Sequence, residues 1–169
     1  MRLIFVHAYI FPLIEYMIIL WGVAKKKLIK RIDNIVKNSA RFVLGVKKRD
    51  SVRLYICKKL MWLMPKELLI YKTLILFFKI LKSDGIESFK GSFSKSKDRH
   101  QHNTRSTIHV TNSNPLNTQN NSTYFSFESN AVRYWNVLPI KLRLIHDIQQ
   151  FKLELKTHLL CQQSDRLLT

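Results

Sequence analysis

Carboxylates are scarce in this sequence: eleven Asp and Glu face 29 Lys and Arg over 169 residues. From Glu15 to Asp165, no two are adjacent or at short strand spacing. Two-metal polymerase and nuclease centres need carboxylates that converge on divalent cations, so that chemistry has no visible home here. A Walker loop and a G-x-S-x-G elbow are missing as well. Cysteine is limited to Cys57 and Cys161, too few and too widely spaced for a disulfide framework or a zinc ribbon. Two reduced thiols are expected. His100, His102 and His109 fall in a polar stretch with no Cys or carboxylate cluster to complete a metal site. These absences predict a chain that binds rather than catalyses, with no metal or cofactor of its own.

Positive charge and apolar surface are what the sequence has in quantity. The formal net charge of +18 repels itself in a compact fold, so an anionic partner is inferred: nucleic acid first, an anionic membrane surface second. A hydrophobic content of 46% is enough to fold one domain or two small ones.

Residues 3–24 carry one formal charge, Glu15, and three lysines follow. That block is long enough to span a bilayer, but Glu15 at mid-span and Pro12 oppose insertion. Residues 25–45 read as an amphipathic helix with Leu28, Ile32, Ile35, Val36, Phe42 and Val43 on one side. Lys30, Lys37 and Arg41 lie almost opposite, and Gly45 is a stop signal. A second helix is predicted over roughly 52–63, capped by Ser51 or Asp50, and a third over 66–82 that is apolar nearly all round and therefore buried. Residues 83–123 read as a long polar loop, with 83–104 the linker and a short strand at 107–111. The alternation in YFSFES, 124–129, predicts another strand. Asp147 and Gln150 resemble a capping box for a last helix with the stripe Ile148, Phe151, Leu155 and Leu159. The fold class expected is mainly α, with a helical bundle over 1–82, the linker, and a small C-terminal α+β unit over 105–169.

The densest charge lies in residues 25–59, where thirteen Lys and Arg face Asp33 and Asp50, a net +11. Such a surface releases condensed counterions on meeting phosphates, so binding would fall steeply with salt. Lys27, Lys30, Lys37, Arg41, Lys47, Lys48, Arg49 and Arg53 are the candidate phosphate contacts.

In order along the chain, several short motifs are familiar. Tyr9, Pro12, Tyr16, Trp21 and Gly22 come first, then Asn38, Arg41, Phe42, Leu44 and Gly45. Arg49-Asp50-Ser51-Val52 with Leu54, Leu60, Trp62 and Leu63 follows, and then Tyr71, Lys72, Lys79, Ile80 and Leu81. His102-Asn103-Thr104-Arg105-Ser106 precedes Arg133, Trp135, Asn136, Leu138 and Pro139, and Phe151, Lys152, Leu155, Lys156 and Leu159 close the series. Together these resemble the C-terminal, thumb and post-thumb region of reverse transcriptases from LINE-type (non-LTR, jockey-like) retrotransposons. Met17 departs from the family pattern, which has glycine after tyrosine.

The resemblance implies a truncated, non-catalytic remnant of an RNA-directed DNA polymerase. Fingers, palm and paired aspartates are absent, and magnesium would belong to that missing palm. It implies RNA or RNA/DNA hybrid as partner, held by backbone phosphates, with Arg105 as a further phosphate contact. Tyr16, Trp21, Gly22, Trp62, His102, Asn103, Thr104, Trp135, Asn136, Leu138 and Pro139 are then motif residues, structural rather than ligand-binding. An intracellular location, nucleus or cytoplasm, goes with that reading. A different reading is a membrane-anchored or secreted cationic protein led by the apolar block. A third is a degenerate element copy with no selected function.

Overall fold

The computed structural model describes residues 1–16, 18–21, 26–82, 93–95, 110–112 and 127–168. In chain order the elements are α1 (Arg2–Phe5), a π-helical turn (Val6–Ile10), α2 (Phe11–Glu15), α3 (Ile18–Trp21), α4 (Lys26–Leu44), α5 (Arg53–Lys58) and α6 (Pro65–Lys82). Two short strands follow, β1 (Phe93–Lys95) and β2 (Val110–Asn112), then α7 (Phe127–Val137), α8 (Ile140–Arg143) and α9 (Ile148–Leu168). The fold is mainly α. By contacts it divides into two compact units, Met1–Lys72 with Leu153–Thr169, and Thr73–Lys152.

In the first unit the apolar block is broken into pieces. Pro12 has no N–H to donate to the carbonyl four residues back, which disfavours a regular α ladder there. The ladder widens to a π turn, and the Phe11 N–H reaches the Val6 carbonyl instead. Tyr16 then turns extended (ψ 120°) and ends α2. No helix among the described residues is long and apolar enough to cross a membrane. Val6, Phe11, Ile14 and Ile18 are buried. Glu15 pairs with Lys72 at 2.5 Å, both side chains about a third exposed, so the pair contributes little.

α5 is shorter than expected and lacks the expected cap: its N-cap is Val52, with no side-chain bond. Asp50 is occupied elsewhere, as its carboxylate accepts the Lys47 N–H. Past α5 the chain turns through Met61 at φ 55°, and Leu60 and Trp62 N–H groups return to the Tyr55 and Ile56 carbonyls. Gln163 on α9 holds this turn. Its amide accepts from the Met64 N–H at 2.9 Å and donates to the Trp62 carbonyl (3.2 Å) and Cys57 Sγ (2.9 Å). Cys57 is buried and free, Cys161 exposed and free. Burial pushes the Cys57 thiol pKa up, against the lowering effect of the Gln163 bond.

In the second unit Leu74, Phe77 and Phe78 of α6 are buried with Ala131, Trp135, Leu138 and Phe151. Phe78 stacks on Phe151 at 4.4 Å, and Trp135 meets Phe77 at 5.5 Å. Asp147 caps α9, accepting the Gln150 N–H at 2.7 Å, as the sequence pattern predicts. The strand expected at 124–129 is not formed where the structure describes it. Phe127, Glu128 and Ser129 open α7, because Ala131, Trp135 and Leu138 repeat at helical spacing and bury there. The small C-terminal α+β unit is therefore not supported: from Phe127 onward the described residues of that region form helices and turns. β1 and β2 pair antiparallel, Phe93 opposite Asn112. Residues 110 and 111 of the strand expected at 107–111 lie in β2, and 107–109 lie outside the described residues.

Candidate nucleic-acid interface

α4 forms because its apolar residues recur at helical spacing, and one narrow strip of it, Val36, Ser39 and Ala40, is buried. Opposite that strip Lys27, Lys30 and Arg31 are exposed, while Lys37 and Arg41 are half-buried. Asp33 sits half-buried among these cations. Burial raises its carboxyl pKa, and the positive charges of Lys37 and Arg53 offset only part of that rise.

The helix stops at Gly45, whose φ of 69° is a left-handed conformation that a side chain would strain. Gly45 and Val46 N–H groups both return to the Arg41 carbonyl, at 2.8 and 3.2 Å. The Phe42 carbonyl is taken by Arg2 instead, whose Nη1 donates to it at 3.3 Å. The Arg2 guanidinium also lies over the Phe42 ring, 5.6 Å from its centroid.

Arg41 braces the following turn. Its Nε and Nη2 donate to the Asp50 carbonyl (3.4 and 3.3 Å), and Nη1 donates to Asn38 Oδ1 at 2.9 Å. Asp50 closes the turn through the Lys47 N–H, leaving Lys47, Lys48 and Arg49 exposed. Arg53, at the start of α5, is exposed too.

Two hollows flank this basic surface within the first unit. One, of about 420 Å³, is lined by Arg2, Asn38, Arg41, Phe42, Gly45, Val46 and Lys48. The other, of about 220 Å³, gathers Asp33, Lys37, Arg53, Lys66, Glu67 and Arg166 beside Met64 and Gln163. Glu67 is buried there and paired with Arg166 at 2.8 Å. Because cations outnumber carboxylates in both, each hollow favours an anion.

The candidate residues therefore separate. Lys27, Lys30, Lys47, Lys48, Arg49 and Arg53 are exposed cations, Lys37 lines a hollow, and Arg41 holds a turn. Arg105, Gly22, His102, Asn103 and Thr104 lie outside the described residues. Trp62 is buried, donating from Nε1 to His7 Nε2 at 3.2 Å and packing on Phe11 at 4.7 Å. Trp135 and Leu138 are buried in the second unit, which removes the Trp135 ring from base stacking. Asn136 is half-buried, Pro139 sits at the N-cap of α8, Trp21 lies in α3, and Tyr16 is exposed. Arg2, Lys66 and Arg166 are cations that sequence reading passed over. No local pattern marks them, because what brings them to the site is tertiary packing. Among the described residues no three His, Cys, Asp or Glu side chains are grouped to hold a metal ion. No family model, no curated protein and no solved structure matches the chain.

Proposed function

We propose that this chain is a non-catalytic remnant of a non-LTR retrotransposon reverse transcriptase, its thumb and post-thumb region, which binds RNA or RNA/DNA hybrid through the backbone phosphates. The single observation that supports this best is the set of exposed cations on α4 (Lys27, Lys30 and Arg31), on the 45–50 turn (Lys47, Lys48 and Arg49) and at Arg53. Contacts of this kind position a nucleic acid without reading its sequence. The ordered motifs from Tyr9 to Leu159 supply the family assignment, and Arg105 stays a proposed contact on that ground alone.

The test is a gel shift of RNA and of RNA/DNA hybrid against salt. Five or so phosphate contacts give a log–log slope of about −3.5 to −4.5. Replacing Lys27, Lys30 and Arg31 together by glutamine should flatten that slope by about 2 to 3 on the same scale. Absence of any shift at low salt, with no retention on a polyanion column, would remove the proposal.

A further inference from the structure

The 420 Å³ hollow at the C-terminal end of α4 has one aromatic side chain in its lining, Phe42, and a phosphate-only grip does not use it. Phe5, Tyr9 and Phe42 are 50%, 65% and 49% exposed. They nevertheless form one cluster: Phe5 and Tyr9 lie 5.0 Å apart between ring centroids, and Phe5 meets Phe42 edge-on at 6.2 Å. Other aromatic rings of the same unit, Phe11 and Trp62, are 7% and 4% exposed, so burial is available to rings here and these three do not take it.

Cations line the hollow beside Phe42. Arg2 is fixed over Phe42 by its bond to the Phe42 carbonyl, and Arg41 is fixed by Asn38 and the Asp50 carbonyl. Lys48, on the same hollow, has no hydrogen-bond or ion-pair partner among the described residues. Among the described residues no carboxylate lines the hollow, and Asp50 directs its own to the Lys47 N–H. A helix C-terminus ordinarily repels anions through its free carbonyls. Here the Arg41 and Phe42 carbonyls are already satisfied by Gly45, Val46 and Arg2.

We propose that this hollow, together with the rings of Phe5 and Tyr9 that adjoin Phe42, is a base-stacking site for single-stranded nucleic acid. Phe42, Phe5 and Tyr9 take the faces of unpaired bases, while Arg2, Arg41 and Lys48 take the adjoining phosphates. A π face beside fixed cations recognises any unpaired base without sequence preference. A duplex keeps its base faces against one another, so it gains the phosphate contacts alone. The inference rests on the nucleic-acid reading above and narrows it to strands with free bases.

Fluorescence anisotropy of the full chain with labelled oligouridylate, the corresponding RNA duplex and an RNA/DNA hybrid tests it. Phe42→Ala and Tyr9→Ala should each weaken single-strand binding about tenfold and leave duplex and hybrid binding unchanged. Phe42→Trp should retain single-strand affinity, and Lys48→Gln should weaken all three ligands. Circular dichroism of the variants checks that the exposed rings were not needed for folding. Equal losses on single strand and duplex, or no loss on either, would overturn stacking while leaving backbone binding in place. No binding of any nucleic acid would instead bring down the broader proposal and this one with it. Anionic phosphatidylglycerol vesicles are the remaining arm. Co-sedimentation lost in Phe42→Ala and Tyr9→Ala, with RNA affinity unchanged, would make the cluster a lipid-surface contact and overturn the proposal.

Discussion

Met61 holds a left-handed conformation, at φ 55°, that costs a residue with a Cβ about 1–2 kcal/mol. It is half exposed, so little burial is lost on removing its side chain. Met61→Gly should therefore stabilise the chain by about 1 kcal/mol, seen as a higher urea midpoint with an unchanged slope. Asp33 offers a second measurement at the same scale. Its folded-state pKa is raised by burial above the ordinary value of 3.8, so the native state favours the protonated acid. The stability this confers is full below the unfolded pKa and is lost as pH rises through the folded one. Asp33→Asn should accordingly raise the melting temperature at neutral pH, with the gain vanishing as pH falls below about 4. A constant gain at every pH would contradict that assignment. The two thiols differ similarly. With Cys57 buried and its thiol pKa raised, an alkylating reagent should label Cys161 quickly and Cys57 only on unfolding.

Individual elements show what a linear pattern carries and what it omits. α4 was legible because its apolar residues repeat at helical spacing, α6 because a long run apolar nearly all round follows Pro65, and the Asp147 cap because it bonds three residues ahead. α7 was misread because the alternation in 124–129 is short, while the helical repeat that overrides it, Ala131, Trp135 and Leu138, begins only after those letters. Neither Ser51 nor Asp50, the two cap candidates for α5, caps it: the N-cap is Val52, and the Asp50 carboxylate accepts the Lys47 N–H of the preceding turn. On α4 the apolar side is wider than the buried strip, so Leu28, Ile35 and Phe42 remain about half exposed. No local rule gives that outcome, because it depends on how much of the helix its neighbours cover. The same holds for the candidate site. Its lysines and arginines on α4 and the following turn were visible as a charge run. Arg2 over Phe42 was not, since forty residues separate the two.

At the scale of the whole molecule, one polar side chain among the described residues ties distant stretches of the chain together. Gln163 satisfies groups about a hundred residues away, at Cys57, Trp62 and Met64. Gln163→Ala would leave the Met64 N–H and the Trp62 carbonyl without that partner, each costing about 1–3 kcal/mol when buried. A loss of about 3 kcal/mol in urea unfolding is expected, large against the usual total for a domain. A loss under 1 kcal/mol would show that water replaces the amide. The charge excess acts at this scale too. At +18 the chain repels itself, and moderate salt should raise its melting temperature even as it weakens RNA binding.

The first unit is assembled from two separated stretches, Met1–Lys72 and Leu153–Thr169. During synthesis the ribosome must therefore deliver some eighty intervening residues before Leu155, Leu159 and Gln163 emerge to finish that core. Until then the first stretch stays incomplete, with apolar surface open to other chains. A chain cut short before Leu153 would leave that core unfinished and open to chaperones and proteases, even though every cation of α4 was present.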